Sequence, residues 1–349
     1  MTDQKGPRAL PATIARQTAA PVRSHAARAR AFDLLFGLLY RDQFREFAGS
    51  VGGRPKLCVP ETIWDKYLWR KVFDHDPRFT TFCDKLAAKT YAASRCPDLP
   101  AARVLWQGGD INEAPPELLA GPGYLKSNYG SGFFLKLDEQ PRSLDQLRAI
   151  TRGWHRGWHH TKPRKWKYRD QWGYKNVPRT LFIEEDLARE GDGPLVDFAV
   201  YVYGDTVTHM SVMLNHKTTG QQRYARFHGS GRRSETEQTG TRFKPLPRDY
   251  QPPVAIAEIC DVAKRLAGDS DHLRVDLTWN GQRLYLSEIT VYSQAGFVRQ
   301  LDKELLAEMT QAWDLRRSWF LTHPQSGWRR LYADWLRRTL DAQDEGSPP

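Results

Sequence analysis

At 349 residues, with 40% hydrophobic and 12% aromatic content, the chain is long enough for two or three packed lobes and too apolar for global disorder. No stretch approaches the roughly 18 consecutive apolar residues of a membrane span, and the run from Ala31 to Tyr40 is short, interrupted by Asp33 and followed by no small-residue cleavage site. The four cysteines, Cys58, Cys83, Cys96 and Cys260, have no C-x-x-C spacing, which argues against zinc and redox motifs and fits a reducing, cytoplasmic setting.

The formal charge of +11 is unevenly spread. No acidic residue occurs between Gln4 and Phe32, whereas Lys5, Arg8, Arg16, Arg23, Arg28 and Arg30 all lie there. Residues 1–30 therefore read as a basic, flexible leader, suited to contact with anionic polymer or a membrane surface. A transit peptide shares this composition, but the leader shows no convincing amphipathic repeat.

Residues 31–122 read as a helical and mixed region. A helix is expected over Arg30 to Phe47, then a Gly/Pro break from Gly49 to Pro60. Helical spacing resumes around Trp64, Tyr67, Leu68 and Val72, and a further helix is expected from Phe82 to about Ala93 with Asp84 and Lys85 near its start. Residues 123–190 change character: a strand through Tyr124-Leu125-Lys126, the turn Gly130-Ser131-Gly132, a strand over Phe133 to Leu137, a helix over Pro141 to Gly153, and an apolar strand from Arg179 to Glu184. In residues 191–300, strands Val196 to Tyr203 and Thr206 to Leu214 flank Gly204-Asp205, a polar loop runs from Asn215 to Tyr250, and a helix follows from Pro253 to Leu266. Leu273 to Trp279 pairs with Arg283 to Val291 across Asn280-Gly281, the strongest turn signal in the chain. Residues 301–349 read as helices broken near Pro324, with a polar tail. The class is α+β, with antiparallel hairpins capped by helices at both ends.

The last hairpin carries the most chemistry. Alternation brings Asp276 and Glu288 toward one face, where two carboxylates repel unless a cation neutralises them; magnesium accepts one or two carboxylates alongside phosphate oxygens and water. Arg274 shares the face of Asp276, placed to hold a transferring phosphoryl group. Taken alone, the hairpin is equally an amphipathic ribbon with surface ion pairs. Lys126 ahead of Ser127 to Gly132 offers a cation and a small-residue loop whose amides can fold over phosphates; alone, it reads better as a plain turn. Neither Asp84-Lys85 nor the strand end Phe182-Ile183-Glu184-Glu185-Asp186-Leu187 is specific by itself.

Their order along the chain resembles the ATP-grasp superfamily, and more closely the TupA-like ATP-grasp proteins of cell-surface polysaccharide and teichuronopeptide synthesis. The phrases that carry the closer likeness are Lys71-Val72 through Asp84-Lys85, Leu125 to Gly132, Trp172-Gly173-Tyr174-Lys175-Asn176-Val177-Pro178-Arg179, and Arg274 to Gly296. The resemblance implies two α/β lobes whose antiparallel sheets hold ATP between them, with helical extensions at both termini. It implies that Lys85 and Lys126 contact phosphates and that Gly130, Ser131 and Gly132 close over them. Glu184, Glu185 and Leu187 would line the adenine hinge, and Asp197 would reach the ribose. Asp276, Glu288 and Thr290 would hold Mg2+, with Arg274 and Lys126 as catalytic residues. Threonine stands at 290 where many relatives have asparagine, which puts a full two-metal site in doubt. The implied reaction is ATP-dependent carboxylate–amine ligation through an acyl phosphate, on small-molecule or glycan substrates. An ATP-grasp kinase acting on a hydroxyl and a non-enzymatic binder of anionic polymer are the alternatives.

The Trp-rich basic stretch from Trp154 to Tyr174 has several readings: a flap over the nucleotide, a surface for an anionic acceptor, or, with least support, a nucleic-acid surface. Metal binding by His155, His159 and His160 has little support, since no cysteine or acid accompanies them before Asp170.

Overall fold

The computed structural model describes residues 12–159, 171–191, 193–214, 222–235, 244–298 and 303–344. The centre of the Trp-rich stretch and much of the polar loop between Asn215 and Tyr250 lie outside them. No described helix is long and apolar enough to cross a membrane.

The chain opens with α1 (Ala12–Leu39) and α2 (Arg41–Ser50). The single helix expected over Arg30 to Phe47 is therefore two. Tyr40 leaves helical backbone (φ −119°, ψ 36°) and lays its ring against Phe36 and Phe73. α1 reaches back to Ala12, so the stretch expected as a flexible leader is helical from that residue on. α3 (Ile63–Val72) starts at a reciprocal cap: Asp65 N donates to Thr62 Oγ1 (3.2 Å) while Thr62 N donates to Asp65 Oδ2 (3.0 Å). The expected helix from Phe82 to Ala93 also divides, into α4 (Arg78–Cys83) and α5 (Lys85–Arg95). Asp84 sits between them in extended backbone and its carboxylate accepts from Leu86 N and Ala87 N, so it ends one helix and caps the next.

A four-stranded antiparallel sheet follows, made of β1 (Val104–Gly108), β2 (Tyr124–Ser127), β3 (Phe134–Lys136) and β4 (Leu181–Glu184) in the order β1-β4-β2-β3. Together with α6 (Pro116–Ala120) and α7 (Leu144–His159) it forms the smaller lobe. Leu125, Leu181 and Ile183 from its strands pack with Ile111, Leu147 and Trp154. Trp154 is thus a core residue, 9% exposed and stacked near Phe133, not part of a solvated flap.

The larger sheet contains β5 (Val196–Tyr203), β6 (Thr206–Leu214), β7 (Arg223–His228), β8 (Lys244–Pro245), β9 (His272–Trp279) and β10 (Leu284–Thr290), in the order β10-β9-β5-β6-β7-β8. All its pairings are antiparallel except the two-residue contact of β7 with β8. β7 falls inside the stretch expected as loop. One sheet face, with Phe198, Val200, Val202, Leu273, Val275 and Leu277, packs on α4, α5 and α8 (Ile256–Ala267). Burying each such aliphatic side chain contributes about 1.5–3 kcal/mol. At one end of the other face, Ala199, Tyr201 and Tyr203 meet α3 and the C-terminal helices α9 (Lys303–Ala312), α10 (Trp319–Thr322) and α11 (Gly327–Asp344).

A wholly buried arginine joins α3 to the β9–β10 hairpin. Arg70 Nη1 donates to the carbonyls of His272 (2.8 Å) and Val291 (3.3 Å), and Nη2 pairs with Asp271. Its Nε lies 3.7 Å from Asp74, whose carboxylate accepts from Phe320 N (2.9 Å). Arg70→Met leaves Asp74 and Asp271 buried without their cation, so the variant should lose about 3–5 kcal/mol of stability, read as a lower urea midpoint at unchanged slope.

Candidate functional site

Most of the residues singled out from the sequence come together between the two sheets. On the smaller sheet, β2 and β4 are neighbours with Lys126 opposite Phe182, and Glu184, opposite Tyr124, lies diagonally two residues along on the same face. Lys126 Nζ pairs with Glu184 Oε1, while Lys89 Nζ reaches Glu184 Oε2 at 3.0 Å and donates to the Ala102 carbonyl at 2.6 Å. Burial by itself would raise the Glu184 pKa, but Lys126 and Lys89 outweigh it and hold the carboxyl at about 2.

Beyond β2 the chain turns through the small-residue loop. Asn128 fixes its stem: Nδ2 donates to the Pro178 carbonyl (2.8 Å) and Oδ1 accepts from Thr180 N (3.0 Å). Gly130 (φ 71°) and Gly132 (φ 81°) take left-handed backbone, and a Cβ on Gly130 would stand 2.8 Å from the Phe133 ring. Lys85, the first residue of α5, donates from Nζ to the Gly130 carbonyl (2.5 Å) and stands 3.5 Å from Glu288. This lysine therefore bridges the loop and the carboxylates of the other lobe.

On the larger sheet, β9 and β10 place Glu288 directly opposite Asp276 and Thr290 opposite Arg274. A register shift makes this possible. Leu286 pairs with Leu277 and Glu288 with Asp276, so β10 holds one extra residue at Ser287. Without it, alternation would send Glu288 into the core beside Leu286; the bulge returns it to the polar face. Arg274 binds Asp276 through two hydrogen bonds (2.7 and 2.5 Å) and donates to Thr290 Oγ1 (3.0 Å). Burial pushes the Asp276 carboxyl up to about 6 against the lowering influence of Arg274. Asp197 on β5 accepts from Thr278 Oγ1 (2.5 Å), which also meets Ser287 Oγ (2.6 Å).

The hinge residues divide. Leu187 packs with Ala102 and Tyr285 in a small apolar wall, with Leu195 beside it. Glu185 is half-buried, lines the same cavity as Leu187, and accepts from Arg103 N (2.6 Å) and Nε (3.2 Å). A narrow cavity of about 30 Å³ is lined by Lys89, Lys126, Glu184, Leu187, Thr278 and Ser287, among others. That is room for about one water, so the contacts of Lys126 and Lys89 with Glu184 close this part of the cleft.

For magnesium, Asp276 and Glu288 are a fitting pair of hard oxygen donors. Among the described residues, no group of three His, Cys, Asp or Glu side chains gathers to hold a metal. The donor set thus suits an ion that arrives with phosphate oxygens, not one caged by protein alone. The side chains of His155, His159 and His160 lie outside the described residues. Sequence reasoning missed Lys89, although its i,i+4 spacing from Lys85 on one helix was the available signal. It also missed the Thr278–Ser287 pair.

No family model matches the chain, and no curated protein is similar to it. The solved structures to which it is similar include the ATP-grasp ligase PsnB complexed with a minimal precursor, at 13% identity and a TM-score of 0.36, covering 68% of this chain and 61% of that one. D-alanine–D-alanine ligase from Helicobacter pylori matches at 13% identity and 0.34, covering 66% and 61%. The enzyme of the same name from Bacillus anthracis, complexed with ATP, matches at 14% and 0.32, covering 76% and 68%. The chain thus spans about three fifths of the first two. The likeness is remote, and the chemistry of this cleft has to be read from its own residues.

The Glu184 cluster sets a pH dependence. Its carboxyl is held at about 2 against an ordinary 4.5, so its contribution to stability is complete above about pH 4.5 and is lost as pH falls through 2. Replacing both lysines, Lys89→Met with Lys126→Met, leaves burial unopposed and raises that pKa above its unfolded value. The acid limb of unfolding, followed by far-UV circular dichroism between pH 6 and 2, should then begin at higher pH than in wild type.

Proposed function

We propose that this chain is an ATP- and Mg2+-dependent carboxylate–amine ligase of the ATP-grasp kind. The observation that carries the reading is the meeting of two opposed walls in one cleft. Lys85, Lys89, Lys126 and the glycine loop come from one side, and Arg274, Asp276 and Glu288 from the other. Lobes 123–190 and 191–300 would grip the nucleotide, with residues 31–122 and the C-terminal helices bracing them.

In this reading Lys126 and Lys85 exchange Glu184 and Glu288 for phosphate oxygens, and Gly130, Ser131 and Gly132 supply amides over them. Leu187, Ala102 and Tyr285 give the base an apolar wall, Glu184 and the hinge backbone meet its polar edge, and Asp197 accepts from the ribose. Asp276 and Glu288, with Thr290 beside them, would hold Mg2+, which supplies neutralisation of the phosphate charge. Arg274 swings from Asp276 to the transferring phosphoryl group. A substrate carboxylate oxygen attacks the terminal phosphorus and the bond to ADP breaks. A substrate amine then attacks the acyl carbon; phosphate leaves and the amine loses a proton. The protein contributes position and charge and no nucleophile.

The resemblance to TupA-like proteins supports an acceptor from cell-surface polysaccharide or peptide-modified glycan synthesis. The need for ATP and four unpaired, buried thiols supports a cytoplasmic site of action. The test is the melting temperature with and without Mg2+ plus ATP or ADP, for wild type, Lys126→Ala and Glu288→Gln. At about 100 times its dissociation constant a nucleotide adds about 2.7 kcal/mol. A magnesium-dependent rise in wild type, reduced in both variants, is expected; no rise with either nucleotide would sink the proposal. A stable phosphorylated product without amide formation would turn the reading to a kinase.

A further inference from the structure

The polar face of the larger sheet continues past the cleft to a buried cation, Arg226, that has no counter-charge among the described residues. Registers set side chains in rows across the strands. In one row Glu288 stands opposite Asp276, Asp276 opposite Ala199, Ala199 opposite Ser211, and Ser211 opposite Arg226. Directly paired residues share a face, so Arg226 on β7 and Asp276 on β9 look into the same space. Adjacent strands lie about 4.8 Å apart, which puts roughly 14 Å between their Cα atoms. The two positions between them hold the small side chains of alanine and serine. In the next row along the strands Tyr201 stacks on His209 with centroids 4.2 Å apart.

Arg226 is 3% exposed, and its Nε and Nη1 have no hydrogen-bond partner among the described residues. No described carboxylate pairs with it; Glu308 lies against His228 and Glu304 against Arg232. Its described neighbours are Tyr224, whose ring lies 5.7 Å from the guanidinium and whose hydroxyl meets Ser211 Oγ at 3.0 Å, and His209, which burial keeps neutral. Arg70 is equally buried but has two carboxylates. A buried guanidinium without an anion is costly, and its planar fork is shaped for a carboxylate.

We propose that Arg226 is the anchor for a second carboxylate of an acidic substrate, one whose reacting end lies at Asp276 and Glu288. This assignment rests on the ligase reading for its direction but not for the existence of the anion site. The acceptor class it selects is a dicarboxylic acid or an acidic amino acid, one carboxylate being activated and the other held.

Glutarate, its diamide and inorganic phosphate at matched ionic strength serve as probes, each tested by melting temperature with and without MgADP, on wild type, Arg226→Lys and Arg226→Met. Glutarate should raise the wild-type melting temperature and the diamide should not. Arg226→Met should bind glutarate at least tenfold more weakly, with Arg226→Lys between, while the MgADP shift persists in all three. Without ligand, Arg226→Met should melt no lower than wild type, because an uncompensated charge is removed. A sharp loss of stability in Arg226→Met would show an internal partner and overturn the assignment, as would an equal glutarate response in wild type and Arg226→Met. A larger response to phosphate than to glutarate would overturn the carboxylate. If MgADP gives no shift but the glutarate response depends on Arg226, the nucleotide reading fails and the anion site stands.

Discussion

Arg70 is the pin on which the face of the candidate site hangs. Its guanidinium grips the first carbonyl of β9 and the carbonyl just after β10, the two ends of the hairpin that bears Arg274, Asp276, Glu288 and Thr290. The same group faces Asp271, which also accepts from the Trp313 indole (2.7 Å), and Asp74, which accepts from the amide of Phe320. α3 is tied further to the C-terminal segment by Lys66, whose Nζ donates to the carbonyls of Thr310 and Trp313 (2.6 Å each). One buried charge thus links α3, the sheet and the C-terminal helices. A burial of this kind fixes geometry better than it adds stability, since its parts tolerate little displacement. Behind it, His272 donates from Nδ1 to the Val202 carbonyl (2.8 Å), which leaves Nε2 to accept from the Tyr67 hydroxyl (2.7 Å). Burial keeps that imidazole neutral, so the support carries no charge change of its own near pH 7.

Given a fixed hairpin, one extra residue decides what it can do. The bulge at Ser287 puts Glu288 across from Asp276, and the two like charges then need cations on every side. Arg274 supplies one by a bidentate contact and Lys85 another at 3.5 Å. The arrangement is self-consistent, each cation being held by a carboxylate whose place another anion could take. Lys126 and Lys89 on Glu184 follow the same pattern in the facing lobe.

The parts legible in the sequence were those set by short-range rules. Gly204-Asp205 and Asn280-Gly281 demanded tight turns, and both hairpins formed with strand limits close to those expected, Gly204 and Gly281 taking φ of 55° and 100°. The strands carrying Lys126 and Glu184 were read from composition and pair as neighbours in the smaller sheet. What escaped depends on tertiary partners. β7, Arg223–His228, breaks alternation at Tyr224-Ala225 and has only six positions inside a polar stretch, so pairing with β6 and β8 is what makes it a strand. Arg70 has the spacing of a solvated helical residue and is wholly buried. The break at Asp84 is a capping choice between two helical stretches that composition does not separate. The bulge at Ser287 is a register shift that no residue type announces.

The cleft also explains why its lysines were hard to weigh one at a time. Lys85, Lys89 and Lys126 come from a helix and a strand far apart in sequence, and a lone lysine is a solvated side chain. Here all three are largely withdrawn from solvent, 15–18% exposed, and each touches a carboxylate. Together with Arg274 they number four cations, set against Glu184, Asp276, Glu288 and Asp197, four anions. The charges balance within the cleft, although the carboxylates were the conspicuous feature of the sequence. In such a balanced cluster an ion from outside has to replace an existing partner, and removing any one charge leaves its partner partly buried and uncompensated. The lysines therefore have to be weighed as pairs with their carboxylates, which is what a reading one residue at a time cannot do.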